Sequence, residues 1–223
     1  MIRILDFSLS FLAIIILFPL SILLIFILRF SGEGEIFFIQ RRIGIRAKPF
    51  NLIKFATMLK DSPSTGSGLI TIKNDSRILP FGHFLRRSKI NELPQLINIL
   101  KGEMSFIGPR PLTLESFNSY PDSLKPKLKH IKPGLSGLAS LLLRNEEEIL
   151  SKVSNPKHFH SNTLAPFKAE TEVWYYDKRN LANYFFLIFL TIFIVLKPKT
   201  KILSVFFKDK PKMPQELKAL INS

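Results

Sequence analysis

The chain has 223 residues, 46% of them hydrophobic, and carries 32 Lys and Arg against 17 Asp and Glu, a formal net charge of +15. That length suits one compact domain with membrane segments, or two small domains. The apolar content excludes a disordered basic tail, the charge points to anionic partners (lipid head groups, phosphorylated substrates or nucleic acid), and the absence of cysteine excludes disulfides and thiolate metal sites.

The first element is the uncharged run FSLSFLAIIILFPLSILLIFIL, Phe7 to Leu28. As a helix it extends about 33 Å, enough for a bilayer core of about 30 Å. It is too long for the apolar core of a secretory signal, and no small-residue cleavage site follows it. It also lacks the polar face of a soluble helix. Pro19 has no N–H to give the Ile15 carbonyl, so a bend is expected there. Two arms of about 15–18 Å result, each one leaflet deep. Two paths stay open, a kinked spanning helix or a hairpin that enters and leaves on one face. The residues alone favour spanning, because proline is common in such helices. Arg29, Arg41, Arg42, Arg46 and Lys48 follow the segment and only Arg3 precedes it. The positive-inside rule therefore puts the main domain on the cytoplasmic side.

IFFIQ (36–40) and FNLIKFATM (50–58) read as extended pieces broken by Gly44 and Pro49. DSPSTGSG (61–68) reads as a loop, and SRILPFGHFLRRS (76–88) as a short helix. Asn91 to Lys101 is the clearest helix beyond the apolar segment. Leu93, Leu96, Ile97 and Leu100 recur at i, i+3, i+4 and i+7, and Gly102 ends it. GPRP (108–111) predicts a stiff bend, KPGLSG (132–137) a rigid turn, and 144–170 a helix followed by a loop. Tyr184 to Leu196 is apolar, but as a helix only about 20 Å long. Lys178, Arg179, Lys197, Lys199 and Lys201 flank it. It reads as an interfacial helix, with a plain core helix as the alternative.

No phosphate-binding glycine loop of either common type is present. His158 and His160 form a pair with no companion metal ligand nearby. The informative block is RRSKINELPQLINILKGEMSFIGPRPL, 86–112. Asn91 is placed to cap the helix, with Pro94 in its first turn. Glu92 then lies at the positive end of the helix dipole. That suits a carboxylate that attacks phosphorus or holds Mg²⁺, or one that merely stabilises the helix start. Arg110, fixed between two prolines, suits either a bidentate phosphate contact or a buried structural role. Arg86 and Arg87 add charge just before Glu92. Trp174, Tyr175 and Tyr176 can stack on a base, anchor at an interface or pack in the core, the last two being favoured.

These strings, in this order, resemble the bacterial sugar transferases, the monotopic polyprenyl-phosphate phosphoglycosyl transferases. The likeness runs through the proline-centred apolar segment, FFIQRRIG, KFATM, NDSRILPFGHFLRRS, NELPQLINILKGEMSFIGPRP, IKPGLSGLAS and the late WYY. It implies an α+β, mainly helical fold. The expected divisions are an N-terminal membrane helix (1–32), a cytoplasmic catalytic domain (33–182) and a C-terminal interfacial segment (183–223). It implies transfer of a phosphosugar from a UDP-sugar to undecaprenyl phosphate with release of UMP, at the cytoplasmic face of the bacterial inner membrane among anionic lipids. Such a reaction opens polysaccharide or glycoconjugate synthesis. Mg²⁺ is the implied cofactor, with Glu92 as its ligand. Arg77, Arg86, Arg87 and Arg110 are the implied phosphate contacts. The resemblance also turns the N-terminal segment into a re-entrant helix bent at Pro19, with Ser21 beside the bend. Nucleic acid is not expected, since no nucleic-acid motif is visible.

Two departures stand out. The family has an Asp-Glu pair whose first member is the nucleophile, and here that position is Asn91. KFATM has Ala56 where the family usually has arginine. Glu92 can take over, another carboxylate (Glu146, Glu147 or Glu148) can replace it, or the protein can be a non-catalytic binding or assembly subunit. The otherwise complete motif set favours an active enzyme, with Glu92 and Asn91 at its catalytic position.

Overall fold

A computed structural model describes residues 1–62, 75–196 and 209–222. They are mainly helical, with two small two-stranded sheets. The chain divides into two compact units, Met1–Arg41 with Asn51–Met104, and Arg42–Phe50 with Ser105–Ser223. The apolar N-terminal segment thus shares a unit with the NELPQL block. Of the loop expected at 61–68, Asp61 and Ser62 form a turn and the rest lies outside the described residues, as do Lys197, Lys199 and Lys201.

In the first unit, α1 (Ile2–Arg29) is the one described helix long and apolar enough to cross a membrane, by length and composition. Pro19 lies inside it, and the Ser21 hydroxyl donates to the Leu17 carbonyl at 2.9 Å. Both ends of α1 are pinned. Leu24 and Leu28, one turn apart, join Phe55 and Leu85 in a core cluster. At the other end the Arg3 guanidinium donates to the Ile99 and Leu100 carbonyls at 2.6 and 2.7 Å. Those are last-turn carbonyls of α3 (Gln95–Lys101), and the Ile99 carbonyl also accepts the Gly102 N–H at 2.9 Å. Gly102, at φ +87°, ends that helix, and a Cβ there would sit 3.1 Å from Arg3 Cζ. Between the pins, Phe11, Ile15, Ile16, Phe18, Ile22, Leu23 and Phe26 are each more than half exposed. Strand β1 (Phe37–Ile43) pairs with β2 (Pro49–Phe55), and α2 (Pro80–Arg87) carries Leu85 into the cluster. Gly82 lets α2 lie directly on the Thr57 backbone, where any Cβ would collide with the Thr57 carbonyl. Each large apolar side chain in this cluster contributes about 1.5–3 kcal/mol by leaving water.

The helix expected from Asn91 is shorter than its periodicity suggests. Ile90–Glu92 is a 3₁₀ turn, and α3 starts only at Gln95. Lys89, at φ 61°, reverses the chain before the turn, and Pro94 lacks the N–H that would carry α3 backwards.

In the second unit, β3 (Ser105–Ile107) pairs in parallel with β4 (Gly134–Ser136). The rigid turn expected at KPGLSG is therefore a short strand. Its glycines allow contact that no Cβ would, since a Cβ on Gly134 would collide with the Gly108 backbone N. Short helices α4 (Leu114–Asn118), α5 (Lys125–Lys129), α6 (Leu138–Leu142), α7 (Glu146–Ser151) and α8 (Pro156–Phe159) lead to α9 (Ala165–Asp177). The loop expected before residue 170 is helical instead. Asn155 caps α8 through the His158 N–H, a π turn spans His160–Leu164, and Pro156 and Pro166 fall in first turns, where proline is tolerated. The core gathers Phe117, Tyr120, Leu128, Ile131, Ala165, Ala169 and Val173. Helix α10 (Leu181–Leu196) buries Tyr184, Leu187, Leu190 and Ile194 and leaves Phe185, Phe189, Ile192 and Leu196 exposed. Helix α11 (Gln215–Asn222) follows.

Candidate active site

Glu92 closes the 3₁₀ turn and meets Lys54 of β2. Lys54 Nζ lies 3.3 Å from Glu92 Oε1, and the two side chains are 17% and 14% exposed. A lysine on the inner face of a strand must find an anion, because an unpaired buried charge costs several kcal/mol. The geometry is held by Asn98, which is fully buried. Asn98 Oδ1 accepts the Ile53 N–H at 3.2 Å, and Nδ2 donates to the Asn51 carbonyl at 2.8 Å and to Glu103 at 2.7 Å. α3 is thereby stapled to β2 on both sides of Leu52, immediately before Lys54.

Asn91 does not cap α3. The helix takes Pro94 as its first boundary residue and has no side-chain cap. Asn91 is 6% exposed, and its Oδ1 is buried without a hydrogen-bond partner. The positive partner of Glu92 is thus the Lys54 ammonium rather than a helix terminus. The sequence carried a signal for Lys54: Phe50, Leu52 and Lys54 share one strand parity, and the first two are buried.

The four arginines separate. Arg77 is 6% exposed and committed to Asp75, at 2.8 and 2.6 Å, and to the Ser62 carbonyl at 2.6 Å. Its expected phosphate role gives way to a structural one, a buried two-point ion pair beside the 58–78 bridge. Arg86 is half-buried with Nη1 3.8 Å from Met58 Sδ, and Arg87 is exposed.

In the second unit Arg110 is exposed on its Pro-Pro turn, and the Pro109 carbonyl accepts the Gly134 N–H at 2.8 Å. Arg110 acts electrostatically on Glu146, whose Oε1 lies 2.6 Å from Lys168 Nζ and 3.8 Å from His160 Nε2. Burial works to raise the Glu146 carboxyl, but Lys168, Arg110 and His160 prevail and hold it below its ordinary range. Burial and Lys168 push His160 down, keeping the imidazole neutral near pH 7. Glu146 is therefore already partnered. The late aromatics pack: Tyr175 is buried, Trp174 lies 4.9 Å beneath Lys178 Nζ, and Tyr176 lies 4.5 Å beneath Arg179.

Among the described residues no three His, Cys, Asp or Glu side chains form a metal cluster. His158 Nε2 is instead engaged with Asn162 at 2.8 Å. Mg²⁺ does not need such a cluster, since it commonly takes one or two protein oxygens together with substrate phosphates. The Glu92 carboxylate is an oxygen donor of that hard kind, and the neighbouring Asn91 Oδ1 is buried without a hydrogen-bond partner.

The model of the bacterial sugar transferase family matches residues 1–198. The exopolysaccharide production protein ExoY of Sinorhizobium fredii is 34% identical over 171 residues, 70% of this chain and 75% of its own. The UDP-glucose:undecaprenyl-phosphate glucose-1-phosphate transferase of Xanthomonas campestris pv. campestris is 37% identical over 139 residues, 61% of this chain and 28% of its own. The undecaprenyl-phosphate galactose phosphotransferase of Salmonella typhimurium is 31% identical over 209 residues, 87% of this chain and 40% of its own. The chain thus spans less than half of the last two proteins. By the extent of the family match, the chain belongs to the bacterial sugar transferase family.

Proposed function

We propose that the protein transfers a phosphosugar from a UDP-sugar to undecaprenyl phosphate at the cytoplasmic face of the inner membrane, with Glu92 as the attacking carboxylate. The observation that carries this reading is the half-buried Lys54–Glu92 pair in the NELPQL block. A lysine beside the carboxylate offsets the charge of an approaching diphosphate. Glu92 attacks the β-phosphorus. The new O–P bond forms as the bond to the UMP oxygen breaks, and UMP leaves with that electron pair. A phosphate oxygen of undecaprenyl phosphate then attacks the same phosphorus, and the carboxylate leaves unchanged. Arg86 and Arg87, in the same unit as Glu92, supply positive charge to the phosphates, and Arg110 is a phosphate contact of the second unit. Glu92, with Asn91 beside it, would hold Mg²⁺, which would supply charge neutralisation at the phosphate oxygens when bound.

The same reading treats α1 as re-entrant. The two pinned ends of α1 and its exposed apolar middle support insertion of the segment into one leaflet, with the bend expected at Pro19. The outer face of α10 then rests at the lipid interface, with Lys178 and Arg179 toward anionic head groups.

The test is UMP release from a panel of UDP-sugars with undecaprenyl phosphate and Mg²⁺, for wild type, Asn91→Asp, Asn91→Ala and Glu92→Gln. Wild type is expected to turn over and Glu92→Gln to lose at least about a hundredfold, the scale of removing a nucleophile. Full activity in Glu92→Gln sinks the assignment. Asn91 favours a second reading, a non-catalytic binding or assembly subunit. That reading requires a silent wild type that still binds uridine nucleotide.

A further inference from the structure

Glu172 is the buried carboxyl for which the proposed reaction has no use. It projects from α9, is 2% exposed, and its Oε1 accepts the Ala139 N–H at 3.0 Å. Its Oε2 is buried without a hydrogen-bond partner. Burying a carboxyl this way is costly, and burial pushes it up to about 7. Such a group persists where it holds something in place.

What Glu172 holds leads to Arg110. Ala139 lies in α6, whose first boundary residue is Gly137. A Cβ on Gly137 would lie 2.6 Å from Glu172 Oε1 and would collide with the Gly108 carbonyl. Gly137 is thus wedged between the Glu172 carboxyl and the backbone of Gly108. Gly108 is itself fixed by its N–H donating to the Ser136 carbonyl at 2.8 Å. Two residues later stands Arg110, between prolines that carry any shift of Gly108 forward rather than absorb it. The path runs Glu172, Gly137–Ala139, Gly108, Arg110, and every step is a backbone contact or hydrogen bond within one unit.

We propose that Glu172 is a positioning residue for Arg110: by accepting the Ala139 N–H it seats the Gly137 turn against Gly108 and so fixes the guanidinium that receives the uridine-diphosphate moiety. This rests on the reading of Arg110 as a phosphate contact.

The experiment measures equilibrium binding of UDP to the full chain in detergent, with UMP release recorded in parallel. The variants are Glu172→Met, Glu172→Gln, Arg110→Ala and the Glu172→Met/Arg110→Ala double. Glu172→Met keeps length but removes the acceptor, whereas Glu172→Gln keeps an amide oxygen for Ala139. Arg110→Ala is expected to weaken UDP about tenfold or more, the scale of a charge-assisted contact. Glu172→Met should weaken it by a similar factor, the double variant no further, and Glu172→Gln by less than about twofold. A merely structural role gives additive losses, which overturns the proposal. So does wild-type affinity in Glu172→Met, or a Glu172→Gln variant as weak as Glu172→Met. If Glu172→Met does not fold, Gly137→Ala perturbs the same link from the other side and is read by the same cycle. A wild type that binds UDP without turnover defeats the transferase reading and leaves the positioning testable. Turnover with an additive cycle defeats the positioning alone. No UDP binding by wild type defeats both.

Discussion

Arg3 is the residue on which the path of the N-terminal helix turns, and Arg3→Ala is its test. Two guanidinium bonds at 2.6 and 2.7 Å are lost, together with a positive charge at the carboxyl end of α3. One bond is partly buried and the other exposed, so each is worth about 1 kcal/mol rather than the full value of a buried charged bond. The lost dipole interaction adds about 0.5 kcal/mol. The sum, about 2–3 kcal/mol, corresponds to a fall in Tm of roughly 5–10 °C for a chain of this size. Arg3→Lys, which can serve one carbonyl and keeps the charge, should lose about half as much. The same energy biases the choice between re-entrant and spanning paths by roughly thirtyfold or more. The chain has no cysteine, so a single cysteine added at the N-terminus reports that choice cleanly. An impermeant maleimide should label it in wild type only when the cytoplasmic face is open, and in Arg3→Ala a fraction should become reactive from outside. Outside labelling of the wild-type cysteine restores a spanning helix. An unchanged melt and unchanged labelling in Arg3→Ala removes the pin from the argument.

Arg77→Met removes the guanidinium partner of the buried Asp75 and should destabilise the fold by about 3–5 kcal/mol, while UDP affinity of the folded fraction stays at the wild-type value; a selective loss of affinity returns Arg77 to the phosphate site. Phe189→Asp, on the exposed face of α10, should lower co-sedimentation with vesicles containing anionic lipid without lowering Tm; lost Tm with intact sedimentation identifies a protein–protein face instead. Glu172 has its carboxyl raised to about 7 in the fold, so the folded state binds more protons than the unfolded chain between roughly pH 4.5 and 7. Its contribution is fully present below that window and is lost as pH rises through it. Wild type should therefore lose stability relative to Glu172→Gln across the window, by up to about 3 kcal/mol, with no further change above pH 8. A pH-independent difference between the two melts refutes this.

Much of the fold was legible because its signals are local. The apolar run with Pro19, the two short strands and the α2 and α3 periodicity each stand in one stretch of sequence. What escaped depends on partners far along the chain. KPGLSG looks like a turn until Gly108 is brought beside Gly134, and then its glycines become the means of pairing two strands. The later part of 144–170 reads as a loop, yet its two prolines, Pro156 and Pro166, both fall where a helix accepts proline. Glu92 was legible as a candidate carboxylate, but its surroundings differ from those its sequence suggests. The i, i+3, i+4, i+7 pattern extends the helix back to Asn91, and only the tertiary fold shows a 3₁₀ turn there and a lysine from β2. Arg77 had the right charge in the right motif, and only the placement of Asp75 and the Ser62 carbonyl reveals that its donors are already used.

Asn91 is where sequence and structure have to be weighed together. An amide in the position of the family's nucleophile looks like a loss. Its surroundings make it part of a different charge arrangement, with one carboxylate, one ammonium 3.3 Å away and a neutral buried oxygen without a partner. Asn91→Asp would add a second anion at 6% exposure. Without a cation that charge costs about 1–3 kcal/mol even after relaxation or protonation. With Mg²⁺ it should be repaid, because a second carboxylate is a better ligand than an amide. The expected result is a variant that melts below wild type in chelator and gains more Tm from millimolar Mg²⁺ than wild type does. Ca²⁺, larger and tolerant of looser geometry, should substitute only in part. If Asn91→Asp melts with wild type in chelator and gains nothing extra from Mg²⁺, Asn91 Oδ1 does not face the cation. Glu92 would then have to hold the metal with substrate phosphates alone.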